Sequence, residues 1–306
     1  MATPMDSSAF PILLDERFRE IEQEELADQT DMIPMLFTVV GSDRATERFG
    51  YVGELGDWGE FVGTLNYDAL YEQYNVVATH RVYSQGLIMT RELHDDDLTG
   101  LFQGDMFRPM IRSGLNTRQV HAARVFNFAN SNDLYFYTHS EGVALVSAAH
   151  TTRTPGVSTA TGYSNLTTSA LTPTSFSSAR IQYRRLRNDR GKVINAEADE
   201  LWCGLDVGPR AREIVGTPWG LDTNTRNVNP YYQSAKVMEW FQITDTNNWF
   251  LANSKLRKAN LRWYDHTLPE FRQITDFETL QLKYGGYMRH SWARRLHVWV
   301  LGAIVS

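Results

Sequence analysis

Apolar residues recur at helical spacing in several stretches of this chain and alternate in others. From residue 12 to 27, Ile12, Leu13, Phe18, Ile21 and Leu26 fall near a helical period with acids between them. That pattern predicts an amphipathic helix, preceded by a flexible end at Met1 to Phe10. A longer helix is predicted from Leu98, Phe102, Met106 and Met110, spaced by four, and on through Ile111, Leu115, Ala122, Phe126 and Ala129. Pro109 removes an N–H and crowds the carbonyl of Asp105, so a kink or break is expected near Met106 to Arg108. Thr172-Pro173 reads as an N-cap followed by Pro at the first helical position. Phe176, Ala179, Tyr183 and Leu186 then share one face, and Gly191 is the expected stop. A short helix over 209–215 starts at Pro209.

Strand patterning lies between these helices. Gly50, Gly53, Gly56, Gly59 and Gly63 recur at nearly every third position, without the proline of collagen or the Lys-Ser/Thr of a phosphate loop. The segment is therefore extended and loosened by glycine. Tyr67, Tyr71 and Tyr74 follow, then a strand-like run from Asn75 to Thr90, and the two extended runs suggest a long hairpin. Met238 to Phe241 and Asn248 to Leu251, joined by a polar turn, carry hairpin patterning as well. The last strands are expected at Phe277 to Tyr284 and Leu296 to Val305, separated by Gly285-Gly286 and the basic run around Arg289, Arg294 and Arg295. In the final run the alternation is imperfect, which is consistent with burial on both faces.

Composition narrows the class. The 306 residues are 42% hydrophobic and 12% aromatic, enough for one or two sizeable cores. No apolar run approaches the roughly 18 residues that span a bilayer, and Met1 to Phe10 lacks the charged and apolar regions of a secretory signal. A net charge of −6 argues against a tight nucleic-acid binder. There is no lysine before Lys192, so arginine supplies every earlier positive side chain. That bias suits planar contacts at protein interfaces, and genomic base composition explains it equally well. Arg180, Arg184, Arg185 and Arg187 form a basic face that is either solvated or turned toward an acidic patch of a neighbouring subunit.

Reactive clusters are absent from the pattern. There is no nucleophile elbow, His-Glu-x-x-His, Walker loop or dinucleotide fingerprint. The eight histidines are scattered, His290 and His297 being the nearest pair, and His139-Ser140 and His150 would need a distant acid to act as a hydrolase. His94-Asp95-Asp96-Asp97 points consecutive side chains apart, which suits helix capping better than a metal. Cys203, the one cysteine, lies between Trp202 and Gly204 and reads as a small core residue. No catalytic, cofactor-binding or metal-binding residue is expected, and no cofactor.

One ordered set of signposts remains. It runs Glu141-Gly142-Val143-Ala144-Leu145-Val146-Ser147-Ala148-Ala149-His150, Ser164-Asn165, Ala170-Leu171-Thr172-Pro173, Asn188-Asp189-Arg190-Gly191-Lys192-Val193-Ile194, Glu200 to Leu205, and Ala211-Arg212-Glu213-Ile214. This order resembles the major capsid proteins of tailed bacteriophages. The resemblance, over roughly Gly41 to Ser306, implies an α+β protein of the Hong Kong 97-like phage capsid fold: an N-terminal arm, an extended loop hairpin, a long spine helix, a peripheral domain sheet and an axial domain. Laid on this chain it gives an arm over 1–45, the extended loop and peripheral strands over 46–92, and the peripheral domain with its spine over 93–180. The axial domain takes 181–275 and the C-terminal strands 276–306.

The function so implied is structural, not enzymatic: self-assembly into hexamers and pentamers of an icosahedral head around double-stranded DNA. Partners would be further copies of the chain, scaffolding and portal proteins, cement proteins in some heads, and packaged DNA held without specific binding, with no membrane. The place would be the virion capsid, assembled in the host bacterial cytoplasm. An encapsulin-like compartment shell shares the fold, and a soluble β-rich hydrolase or binding module is the remaining alternative. Contacts between subunits are expected from Trp58 and Phe61 by apolar burial, and from Glu54, Asp57 and Glu60 against arginines such as Arg108 or Arg112. Some relatives weld subunits through a loop lysine. Gly41 to Thr90 contains none, so a non-covalent shell is expected.

Overall fold

The computed structural model describes residues 31–95, 107–219 and 228–305. The expected helix over 12–27, and the part of the long helix from Leu98 to Met106, lie outside them. In chain order the elements are α1 (Ile33–Leu36), β1 (Thr38–Gly41), β2 (Thr46–Phe49), β3 (Val76–Thr79), β4 (Arg81–Met89), α2 (Arg91–Asp95) and α3 (Phe107–Asn127). There follow β5 (Tyr137–His139), β6 (Leu166–Thr167), α4 (Pro173–Arg184), β7 (Glu200–Cys203), α5 (Gly208–Gly216), β8 (Lys236–Glu239) and β9 (Trp249–Ala252). The chain closes with α6 (Ser254–Asn260), β10 (Leu261–Thr275), β11 (Leu282–Arg294) and β12 (Val300–Ala303).

The strands form three sheets: β1-β10-β11-β4, β6-β12-β9-β7-β8, and β2-β3-β5. Strands β7, β9 and β12 are buried at every position, because helices cover both faces of their sheet. Side chains alternate between those faces. Leu201, Cys203, Trp249 and Leu251 pack with Phe176 and Tyr183 of α4 and with Ala211 and Ile214 of α5. Trp202 and Phe250 face the other way, onto Phe126 of α3, with ring centroids at 5.3 and 4.8 Å. Helix α4 begins as read, with Thr172 and Ser175 closing a reciprocal capping box around Pro173.

Four expectations are corrected. Met238 to Phe241 and Asn248 to Leu251 do not form a hairpin, because β8 and β9 lie on opposite sides of β7. The strand before Gly285-Gly286 does not stop there: β11 continues through both glycines to Arg294. The cause is a neighbour, since a Cβ on Gly286 would lie 3.1 Å from the Phe271 ring on β10. The expected long hairpin is paired only at its base, where β2 runs antiparallel to β3 and Val52 bridges Glu72, while β4, the rest of the 75–90 run, pairs with β11 instead. Helix α4 ends at Arg184, well before Gly191, which instead takes a left-handed φ of 76° in the following turn. Pro109 is the third residue of the described part of α3, and Asp105, whose carbonyl the proline is expected to crowd, lies outside the described residues.

Candidate functional site at the root and tip of the extended loop

Residues 50–75 run out and back between β2 and β3. Their root is narrow, since Gly53 N–H donates to Tyr71 O at 2.9 Å and Gln73 N–H to Tyr51 O at 2.7 Å. Gln73 is buried, and its side chain locks the root to the threonine loop. Its amide donates to Thr154 Oγ1 at 2.9 Å and its carbonyl accepts from Arg153 N–H at 3.0 Å. The other clamp is the turn at Asn188 to Lys192. Asn188 Oδ1 accepts from the N–H of Arg190 and Lys192, while Asp189 accepts from Glu54 N–H at 3.1 Å. Gly53 has to be glycine, because a Cβ there would sit 2.0 Å from Asp189 Oδ2. Arg190 donates to the Glu54 carbonyl at 2.8 Å and pairs with Asp68, and Lys192 pairs with Asp57 at 2.5 Å.

Beyond the root the loop carries apolar side chains into solvent. Trp58 is 97% exposed, Phe61 69% and Tyr67 87%, with Val62 and Leu65 beside them. A contiguous exposed set of this kind marks an interaction surface more than a solvated one. Of the expected contact residues, the structure gathers Glu54, Asp57, Trp58, Glu60 and Phe61 on this loop, whereas Arg108 and Arg112 lie on α3. Within one chain Asp57 pairs with Lys192, and Glu54 accepts a hydrogen bond from Asn188. On α4, Arg180 and Arg184 both pair with Glu197 of the same chain.

The signature residues meet behind the root. Glu141 and His150 close the intervening loop, His150 Nδ1 lying 3.1 Å from Glu141 Oε1 and Nε2 3.2 Å from Leu145 O. Asn165 is fully buried, and its side chain bonds Ser147 N–H, Leu145 O and Val300 O, joining that loop to β12. His297 stacks face to face on His150, with centroids 3.5 Å apart and planes 4° apart. On the other side, His139 Nε2 lies 2.7 Å from Arg295 O. A cavity of about 270 Å³ separates this cluster from the loop root, lined by His139, Glu141 and His297 on one wall and Tyr51, Gln73 and Asp189 on the other.

Electrostatics here follow burial. Desolvation, with Arg294 nearby, pushes His139 down to about 4. His297 is held well below the ordinary histidine value, by desolvation first and then by His150 and Arg294. Burial works against the Glu141 charge, but the hydrogen bond and charge of His150 and the Thr151 N–H outweigh it and keep the carboxyl below its usual range. Two unit charges 3.5 Å apart, the separation of the stacked rings, would repel by about 5 kcal/mol at an effective dielectric of 20.

Sequence spacing hid this clustering, because the partners come from segments far apart in the chain. A second pair lies on α3 and β11, with His121 Nδ1 at 3.0 Å from His290 Nε2. Neither arrangement makes a reactive centre. Glu141, His150 and His297 bring three donor atoms within 4.8 Å. In-plane lone pairs of parallel stacked rings do not converge on one ion. His80 lies 2.8 Å from Ser291 Oγ, yet Ser291 and His80 are both buried in the core, beyond a substrate's reach. Burial likewise pushes the Cys203 thiol up to about 12, away from reactivity.

The geometry defines a class: a chain with a structured core, a clamped projecting loop and exposed apolar side chains at its tip. No family model matches the sequence, and no curated protein matches it. Solved structures do. The chain is similar over 96% of its length to a protein of Mycobacterium phage Patience, at 9% identity, a TM-score of 0.58 and 87% coverage of that chain. It is similar over 93% of its length to one of Microbacterium phage Oxtober96, at 10% identity, a TM-score of 0.56 and 98% of that chain. Against the procapsid of bacteriophage JBD30 the whole chain aligns to 77% of its counterpart, at 15% identity and a TM-score of 0.52. The fold is that of a bacteriophage capsid subunit.

Proposed function

We propose that this chain is a major capsid protein, structural and without catalytic activity, that assembles into the hexamers and pentamers of an icosahedral phage head around double-stranded DNA. The observation that carries the reading is the clamped loop with Trp58 and Phe61 exposed at its tip, on a fold shared with phage capsid subunits over nearly the full chain. A projecting loop laid on the next subunit is a heterologous contact, the kind that closes into rings. Trp58 and Phe61 supply apolar burial there, and Glu60, with Arg108 and Arg112 of a neighbour, the charge pairing. On this reading the β1-β10-β11-β4 sheet with α3 as its spine makes the peripheral domain, and the five-stranded sheet with α4 and α5 the axial domain. That assignment moves β10 out of the expected axial range 181–275, and β6 and most of α4 out of the expected peripheral range 93–180.

The net charge of −6 suits a wall on which packaged DNA slides without specific binding. One JBD30 structure is a capsid decorated with minor capsid protein trimers. By analogy the outer face of this shell takes a cement protein, and scaffolding and portal proteins complete the head, assembled in the host cytoplasm. Electron microscopy and sedimentation of the purified chain test the reading. Closed particles are expected, and a persistent monomer at high concentration overturns it. Particles filled with a cargo enzyme in place of DNA would point to a compartment shell.

A further inference from the structure

The first block of the sequence signature closes on itself, Glu141 to His150, in a feature that assembly does not explain. His150 presents one ring nitrogen to the Glu141 carboxylate and the other to the Leu145 carbonyl. Both partners only accept, so the network closes when both ring nitrogens carry hydrogen. His297 covers that ring face to face, and its Nε2 is buried without a hydrogen-bond partner among the described residues. His139 lies 2.7 Å through Nε2 from Arg295 O and receives the Glu141 N–H at Nδ1, which is the pattern of a neutral ring. A neutral ring on a charged one stacks favourably; two charged rings do not.

We propose that the His150–His297 stack, closed by Glu141 and flanked by His139, is an acid-operated latch at the root of the extended loop. Once both rings are protonated, the stacked cations repel and the rings part. The charged groups that face the stack come from each surrounding element. Arg294 and Arg295 stand at the end of β11, His139 on β5 and Glu141 in the loop after it, while Arg187, Asp189 and Glu54 lie across the cavity. Of these the acid nearest the stack is Glu141, and it is already engaged by His150 and the Thr151 N–H. Asp189 and Glu54 are committed to the loop root. Arg294 and His139 both oppose a second positive charge.

Parting the rings has a defined mechanical result. The His297 carbonyl accepts from Val300 N–H at the entry to β12, and Thr151 to Thr154 follow His150 directly and hold Gln73. Opening therefore separates residues 139–151 from the chain entering β12 and loosens the Gln73 clamp. The adjoining cavity gives water and protons a route to His139 and His297. Burial keeps His297 neutral at neutral pH, so the latch opens only below the ordinary histidine value of about 6.5. Its consequence for shell geometry rests on the capsid reading above; the latch itself does not.

Hydrogen–deuterium exchange of the full chain at pH 7.0 and 5.0, corrected for intrinsic rates, tests the proposal. Peptides covering 139–154 and 295–300 should exchange at least tenfold faster at pH 5.0, over and above any change shown by 200–203 and 249–252, which report global opening. His297→Phe keeps a stacking face but takes no proton, and should abolish the acid response. Equal wild-type exchange at both pH values, or an undiminished response in the variant, overturns the latch. If His297→Phe does not fold, NMR titration of the wild-type imidazoles decides. His297 must charge in step with the opening, and a ring that stays neutral while the segment opens overturns it. Particles are scored separately at pH 7.0, where their absence counts against the capsid reading and leaves the exchange result standing.

Discussion

Arg257 is 2% exposed and holds three partners at once. Its guanidinium makes two bonds to Glu200, at 2.8 and 2.7 Å, and donates to the carbonyls of Met35 and Leu36 at the end of α1. Glu200 also accepts from the Trp202 indole at 2.9 Å. Removing the cation leaves a buried carboxylate and two orphaned carbonyls, so Arg257→Met should cost about 3–5 kcal/mol of unfolding free energy. Lysine cannot restore the fork geometry, and Arg257→Lys should remain well short of the wild type. Urea denaturation checks both, and a loss below about 1 kcal/mol for Arg257→Met contradicts the account. The buried histidines give a second expectation. His139, His290 and His297 are all held below the ordinary value, His139 at about 4 and His290 at about 2, chiefly by desolvation. The unfolded chain therefore takes up protons first. Stability is complete above about pH 6.5 and declines as the pH falls toward 4, by about 1.4 kcal/mol per pH unit for His139 and as much again for His290. Urea midpoints that stay level from pH 7 to 5 would refute this.

At the level of elements, the loop between Glu141 and His150 behaves as a part of the five-stranded sheet. Asn165 holds it there with three hydrogen bonds to Ser147, Leu145 and Val300, all from a fully buried side chain. Asn165→Ala removes three hydrogen bonds from a buried site and should cost about 2–4 kcal/mol, with the loop becoming protease-sensitive before the sheet does. Cooperative loss of both together would show that the loop is no separable element. Helix α3 gives the contrasting case. A helix that begins at Phe107 has no carbonyl of its own for an N–H at position 109, and on that reading Pro109→Ala should change stability by less than about 1 kcal/mol. A gain of about 3 kcal/mol would mean that the proline interrupts a continuous helix.

For the whole molecule, the loop and the core separate. The tip contributes exposed apolar surface, whereas the three hydrophobic clusters are formed by residues outside 53–71. Deleting 53–71 should abolish particles while the melting temperature shifts by only a few degrees. Failure of the deleted chain to fold would place this segment in the core. The absence of lysine from Gly41 to Thr90 has a consequence for the finished particle. Arginine stays protonated and is a poor nucleophile, and a single buried cysteine makes no disulfide network. Particles boiled in detergent and reductant should run as one band near 35.0 kDa, and a covalent ladder would refute the non-covalent shell.

Local chemistry settled a good deal from the sequence alone. The capping box at Thr172, the short helix after Pro209, the burial of Cys203 and the fully buried strand at Val300 follow from nearest neighbours and from periodicity. These forces act within a few residues, so their pattern is printed in the chain. The signature was legible as well, although not what its residues do. Only the tertiary structure decided which strands pair, because hairpin patterning between Met238 and Leu251 specifies strands and not partners, and β7 enters between them. Only the fold carried β11 through Gly285-Gly286, since the ring that fills the gap belongs to Phe271 on another strand. The histidines follow the same rule: residues 150 and 297 meet from segments far apart in the chain, and no local spacing encodes a contact that burial of distant segments creates.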